Sequence, residues 1–288
     1  MARRPVNGKI VVITGGARGI GAATGAALSS RGATVILADL DGALAEATAK
    51  SLGDKASGHA LDVTDHAAFS AFLDEVERTH GRIDVLVNNA GIMPLAAVTR
   101  EPPETTVRQL ELNLHSVIHG TREAVAKMLP KGTGHVVNVA SAAGKIGFPN
   151  SSTYCATKFG VVGFSEAVNG ELRGSGVEIS CVMPAMVRTE LISGLHEMPF
   201  LRPVTAEQVA AAIARALERP RFEVFVPRRL NFLTRAQRMV PKRTADWAVR
   251  LAGGDTALVD GADSADRAGY ESRAAGAGGT TSAATPSA

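Results

Sequence analysis

Ile10-Val11-Val12-Ile13-Thr14 runs straight into Gly15-Gly16-Ala17-Arg18-Gly19-Ile20-Gly21, and an apolar-periodic stretch, Ile20–Arg31, follows. The order is strand, glycine-rich turn, helix. A continuous Val/Ile run is the composition of a strand buried on both faces. Gly15 suits a tight turn out of the strand, Gly19 a close approach of backbone to a ligand, and Gly21 close packing of the helix on the sheet. Backbone N–H groups of the first helical turn then face an anion, which the helix dipole favours. The loop lacks the Gly-Lys-Ser/Thr ending of a P-loop, which argues against nucleoside triphosphate chemistry.

The same alternation continues outward. Lys9–Thr14, Thr34–Asp39, Gly58–Asp62, Asp84–Asn88, His135–Ala140 and Val177–Met183 read as strands, with a last one near Phe222–Val226. Ile20–Arg31, Ala43–Leu52, Asp65–His80, Glu104–Leu129, Thr153–Arg173 and Thr205–Leu217 read as helices. Strand and helix in repeated alternation imply right-handed crossovers and a parallel sheet covered on both sides. The expected fold is an α/β, doubly wound, Rossmann-like single domain over residues 1–227. Beyond it, residues 219–250 carry nine Arg/Lys against two acids, and Phe232, Leu233, Ala236, Met239 and Val240 have helical apolar spacing. Residues 228–260 therefore read as a basic amphipathic helical extension. It could touch an anionic membrane through 228–250, or pack on the domain or on a neighbouring subunit. Residues 261–288 read as a low-complexity, disordered tail, since 274–288 holds only Gly, Ala, Ser and Thr besides Pro286.

Composition sets the remaining bounds. Apolar residues make up 45% of 288, enough for a sizeable core, so global disorder is excluded. A net charge of +3 gives no argument for a nucleic-acid partner, and none is expected. Two cysteines make no disulfide scaffold, and no secretory signal or run of about 18 apolar residues is visible, so the expected location is cytoplasmic, with membrane association confined to the extension. No CxxC or HExxH spacing occurs, and no metal site is expected.

Several residues carry chemistry. Asp39 ends the second strand 18 residues after Gly21, where an acid can accept from a ribose 2′-OH and repel a 2′-phosphate; it could equally serve a turn or a helix cap. Leu40 after it is not basic, whereas Arg18 could meet a 2′-phosphate, so NAD is favoured and NADP stays open. Asn88-Asn89-Ala90-Gly91 closes the fourth strand, where side-chain amides can tie strand ends together or simply make a turn. Asp62 can meet the adenine or cap the next helix. Tyr154 and Lys158 lie four residues apart, on one face of a helix, and Ser141 follows a strand end. A free phenol has a pKa of about 10, and a nearby ammonium stabilises its phenolate, so Tyr154 is the expected acid/base and Ser141 the group that holds the substrate oxygen. Asn113, in the long fifth helix, could hold a proton-relay water or face solvent.

Together these motifs resemble the short-chain dehydrogenase/reductase family over about residues 7–227. The resemblance rests on Thr14-Gly15-x-x-x-Gly19-x-Gly21, Asn88-Asn89-Ala90-Gly91, Asn113, Ser141 and Tyr154-x-x-x-Lys158. It implies an Asn113-Ser141-Tyr154-Lys158 tetrad, with Lys158 also holding the nicotinamide ribose and Thr189 the carboxamide. It implies a cofactor site of Gly15, Arg18, Gly19, Ile20, Gly21, Asp39, Leu40, Asp62, Val63, Asn89, Ala90, Gly91, Pro184, Val187 and Thr189, besides Tyr154 and Lys158. Ala185 stands where the family has Gly, which would cost stability if that position needs φ > 0. The implied reaction interconverts a hydrophobic secondary alcohol and its ketone, in a homo-oligomer, tetramer or dimer; a dinucleotide-binding regulator with little turnover is the alternative. The expected substrate wall is Met93, Pro94, Ala143, Ile146, Met186, Val187, Leu191, Leu195 and Met198. The run Val117–Arg122 resembles members acting on sterol-like or retinol-like alcohols.

Overall fold

Seven strands form one sheet in the order β3-β2-β1-β4-β5-β6-β7, every neighbouring pair parallel, in a computed structural model. The structure describes residues 4–192 and 203–232, with Thr234, Arg267, Tyr270 and Ala274 beyond them. The strands are β1 Ile10–Thr14, β2 Thr34–Asp39, β3 Ala56–Ala60, β4 Val85–Asn88, β5 Gly134–Val139, β6 Val177–Pro184 and β7 Glu223–Val226. The helices are α1 Gly19–Ser29, α2 Gly42–Leu52, α3 His66–His80, α4 Pro103–Leu110, α5 Ser116–Met128, α6 Ser152–Glu171 and α7 Ala206–Glu218.

Strand side chains alternate between the two faces, and that alternation builds two cores. Val11, Ile13, Val35, Leu37, Val85 and Val87 pack with Leu28 of α1 and Val209 and Ile213 of α7. Ile10, Val12, Ile36 and Leu86 pack with Phe69, Leu73 and Val76 of α3 and Ala124 and Met128 of α5. The strand order, not the strand direction, reverses between β1 and β4, so a crevice opens outside the carboxyl ends of these strands.

Two readings shift in the structure. The third strand is Ala56–Ala60 rather than 58–62, because its register is set by pairing of Val35 with Ala56 through Asp39 with Ala60. A Cβ on Gly58 would lie 2.2 Å from the backbone carbon of Ala45, so α2 presses directly on that strand. The long fifth helix is interrupted: a π-helical turn, Glu111–His115, separates α4 from α5. Val117–Arg122 lies within α5, and part of it packs. A Cβ on Gly120 would meet Asn88 Oδ1 at 2.6 Å and the Phe69 ring at 2.8 Å, and His119 bonds Ser70 across to α3 at 3.0 Å.

The basic extension lies mostly outside the described residues. Within it, residues 229–232 are helical and Leu230 is buried. Arg267, Tyr270 and Ala274 fall in the segment read as a disordered tail, and all three are buried against the domain. No described helix is long and apolar enough to cross a membrane.

Candidate active site

The crevice is a continuous cleft of about 2370 Å³. Pockets for one small ligand run to about 1,000 Å³, so this one has room for a dinucleotide and a second molecule. Its floor is the glycine loop. Gly15 and Gly19 have φ of 62° and 55°, in the left-handed region where a side chain is strained. A Cβ on Gly15 would come within 2.9 Å of Ala90 Cα. The chain here is a bare backbone cradle opening into α1, which fits a pyrophosphate. Gly21 lies beneath the loop, not in the cleft wall: a Cβ there would sit 2.0 Å from the Gly15 carbonyl oxygen.

Side-chain amides pin the neighbouring strand ends. Asn89 Nδ2 donates to the carbonyls of Thr14 and Gly15, each at 3.0 Å, while the Asn89 N–H donates to Thr14 Oγ1 at 3.0 Å. Asn88 Nδ2 donates to Asn138 Oδ1 at 2.9 Å and to Thr121 Oγ1 at 3.2 Å, tying β4 to β5 and α5. At the far end of the cleft, Asp39 Oδ2 accepts the Ala17 N–H at 3.0 Å and Oδ1 accepts the Asp41 N–H at 3.1 Å. The cap of α2 is Asp41, which accepts from Leu44, so Asp39 holds the glycine loop instead of capping a helix. Arg18 pairs with Asp41 at 3.0 Å and Glu190 at 3.4 Å. Asp62 lies two residues past β3 and accepts from the Thr64 N–H and hydroxyl at 2.9 and 2.6 Å; Asp65 caps α3. Leu40 is exposed on the rim.

The reactive groups converge at the ends of β5 and β4. Lys158 and Tyr154 share a face of α6, with Nζ 5.6 Å from the phenol ring centroid and donating to the Val139 carbonyl at 3.0 Å. Tyr154 hydrogen-bonds Ser141, whose Oγ accepts the Ala143 N–H at 3.1 Å at the start of a 3₁₀ turn. Burial pushes the Tyr154 phenol up to about 12, with the Ser141 hydrogen bond pulling the other way. Burial likewise brings the Lys158 ammonium down to about 8. The expected depression of the phenol by Lys158 is not found: burial is the largest cause of the shift for both groups.

Asn113 sits one layer behind, fully buried in the π-helical turn. Its Oδ1 accepts the Ile92 N–H and its Nδ2 donates to the Ile92 carbonyl, both at 2.8 Å. It does not face solvent; it fixes the loop after β4. Gly91 makes room for it, since a Cβ there would lie 3.0 Å from Asn113 Oδ1.

The other residues assigned to the cofactor site, Ile20, Val63, Ala90, Pro184, Val187 and Thr189, all line the cleft. Ala185 raises no strain, because Asn150 is the one non-glycine with positive φ among the described residues. Of the expected substrate wall, Met93, Ala143, Ile146, Met186, Val187 and Leu191 line the cleft and Pro94 is buried outside it. Leu195 and Met198 lie outside the described residues. The sequence reading missed Tyr270 and Ala274, which also line the cleft. It also found no metal spacing, whereas the fold brings ligand atoms of His66, Glu111 and His115 within 4.8 Å of one another.

A profile of the short chain dehydrogenases matches residues 9–199. This chain belongs to the short-chain dehydrogenase/reductase family. It is 35% identical over 218 residues to 3-oxoacyl-[acyl-carrier-protein] reductase of Haemophilus influenzae, covering 73% of this chain and 90% of that protein. It is 37% identical over 191 residues to 2-dehydro-3-deoxy-L-rhamnonate dehydrogenase (NAD(+)) of a Sphingomonas species, covering 66% and 76%. The crystal structure of a short-chain dehydrogenase/reductase from Burkholderia phymatum in complex with NAD superimposes with a TM-score of 0.73 at 26% identity, covering 82% and 95%. The short-chain dehydrogenase described here is thus an NAD(P)-dependent oxidoreductase acting on CH–OH or ketone substrates.

Proposed function

We propose that this short-chain dehydrogenase is an NAD-dependent enzyme that interconverts a hydrophobic secondary alcohol and its ketone, with Tyr154 as the proton donor and acceptor. The observation that carries the reading is the convergence of Tyr154, Ser141 and Lys158 in one cleft wall above a bare glycine cradle. The cradle and Asp39 suit a dinucleotide: Gly15, Gly19, Ile20 and Thr189 would hold its pyrophosphate end and nicotinamide side, and Asp39 its ribose. When bound, the dinucleotide supplies or accepts the hydride.

The residues of the chain do the proton chemistry. Burial keeps Tyr154 a neutral phenol over ordinary pH, so it can donate its proton to a carbonyl oxygen in the reductive direction and take one back in the oxidative direction. Ser141 shares its hydroxyl with that phenol and orients the same oxygen. Lys158 stands beside the ring as the cation that favours the phenolate left after donation. NAD is favoured because the ribose end is acidic: Asp39 faces the cleft, and Arg18, the cation that could meet a 2′-phosphate, is shared by Asp41 and Glu190. The Sphingomonas relative, whose name carries NAD(+), and the NAD-bound Burkholderia structure support the same choice. The hydrophobic substrate is supported by the Met93, Ala143, Ile146, Met186 and Leu191 wall.

A panel of apolar alcohols and ketones with NAD(H) and NADP(H), followed at the reduced-nicotinamide absorbance, tests the reading. Tyr154→Phe should lower turnover by about 10³-fold while leaving the dissociation constant for NAD within about twofold. Substantial turnover by that variant would remove Tyr154 from the mechanism.

A further inference from the structure

Arg267 is the largest fully buried side chain among the described residues. Its guanidinium donates to the Leu191 carbonyl at 2.9 Å and to the Met93 carbonyl, and it stacks 4.8 Å from the centre of the Tyr270 ring. The Met93 N–H in turn donates to Tyr270 Oη at 2.6 Å. Met93 lies on the loop after β4 and Leu191 on the segment after β6, the two chain segments that flank Tyr154. Arg267 and Tyr270 therefore bridge the two lips of the cleft. They do so with backbone partners, so the contact fixes the position of the loops whatever their side chains. Asn113 grips Ile92 from behind the same loop that Tyr270 and Arg267 grip from in front.

Spacing supports a single surface. Residues 267, 270 and 274 stand three and four apart, the interval of one helical face, and Tyr270 and Ala274 are both helical, buried and part of the cleft wall that also contains Ser141 and Tyr154. Tyr270 supplies a broad apolar ring and Ala274 a small side chain. Beside them lies the cluster of Met93, Leu95, Ala143 and Tyr154, with Leu191 and Phe148 packed against it, and Met93 touches Tyr270 directly. A ligand in the cleft beside Tyr154 meets these apolar groups together with Tyr270 and Ala274.

We propose that Tyr270 and Ala274 form the outer wall of the substrate site and set its specificity, and that Arg267 is the positioning residue that holds that wall across the two lips. The ligand class is a compact apolar ketone or secondary alcohol, such as a cyclic one. The inference rests on the oxidoreductase reading above for its kinetic part, and on the contacts alone for its structural part.

The test uses the full chain and the variants Arg267→Ala, Tyr270→Ala and Tyr270→Phe. Hydrogen exchange over residues 91–96 reads the contact directly, and steady-state kinetics with NADH across a ketone series from cyclohexanone to 2-decanone reads the wall. Tyr270→Ala should raise KM for cyclohexanone about tenfold, shift preference toward 2-decanone, and leave kcat and the NADH dissociation constant within about threefold. Arg267→Ala should speed exchange of the Met93 amide and raise KM across the whole series. Tyr270→Phe, which keeps the ring and loses Oη, should retain the size preference while exposing the Met93 amide. Unchanged exchange over 91–96 in all three variants would overturn the bridge. Faster exchange with an unchanged size preference would overturn the specificity role. If the full chain turned over none of the series, the apolar-ketone reading would fail, and the exchange result would still decide the bridge.

Discussion

Asp39 acts on both sides of its carboxylate. One oxygen holds the Ala17 N–H of the glycine loop and the other the Asp41 N–H, while the charge faces the cleft where a ribose would lie. The two effects can be separated. Asn keeps one oxygen for the Ala17 N–H, removes the charge, and loses the bond from the Asp41 N–H, because its amide nitrogen cannot accept. Asp39→Asn should therefore keep the fold at a modest cost in stability and lower the NAD-over-NADP ratio of kcat/KM by about tenfold, a shift of about 1.4 kcal/mol. Kinetics with both nucleotides against one ketone check it; an unchanged ratio would place the discrimination elsewhere, with Arg18 and Asp41 the next pair to vary. Tyr154 shows the converse lesson. Its chemistry follows from residue type and spacing, but the direction of its pKa shift follows from burial, which spacing does not report.

Among the elements, the turn between β1 and α1 has the least tolerance. A methyl on Gly21 would overlap the Gly15 carbonyl at 2.0 Å and crowd Asn89 Nδ2 at 2.9 Å, the amide that ties β1 to β4. Both obstacles are fixed backbone or a bonded amide, so the loop itself must move. Gly21→Ala should weaken NAD binding by more than about tenfold and lower Tm by several degrees, since overpacking costs about 1–3 kcal/mol. Fluorescence titration and a thermal melt measure both. This element was legible because glycine spacing after a Val/Ile run has few other physical uses. The edge strand β3, Ala-Ser-Gly-His-Ala, was placed two residues late because it has almost no apolar signal; pairing with β2 and pressure from α2 fix it. The π-helical turn is invisible in the sequence because Glu111-Leu112-Asn113-Leu114-His115 keeps helical periodicity; what marks it is the backbone bond from the Ser116 N–H to the Glu111 carbonyl, five residues back. From sequence alone Arg267 and Tyr270 belong to a tail, because the residues around them are small and polar. Their contacts are with loops far away in the sequence, which composition cannot show.

At the scale of the whole molecule the sheet has a functional end and a stabilising end. Tyr154, Ser141, Asn89 and Asp39 gather at the carboxyl ends of the strands. At the amino ends, Asp84 just before β4 accepts from Ile10 N–H and Arg82 Nε at 2.8 Å and from Lys9 at 3.1 Å, and His135 in β5 bonds Ser180 of β6 at 2.8 Å. Burial opposes the Asp84 charge, but Arg82, the Ile10 amide and Lys9 together hold its carboxyl below the usual value. Burial, helped by Arg4, holds the His135 imidazole down to about 3. Both groups bind fewer protons folded than unfolded on the acid side, so each contributes stability at neutral pH that is lost on acidification. For His135 the loss begins as pH falls through 6.5 and is complete near 3, up to about 5 kcal/mol; Asp84 adds a loss at lower pH in the same direction. His135→Gln keeps a polar partner for Ser180 and cannot titrate there. Its unfolding free energy, from urea melts, should be somewhat lower than that of the native chain at pH 7. Between pH 7 and 4, where the native chain should lose roughly 3 kcal/mol through this imidazole, the variant should stay nearly flat. Parallel curves for the two proteins would mean that the imidazole is charged inside the sheet or that the acid limb belongs to carboxylates alone.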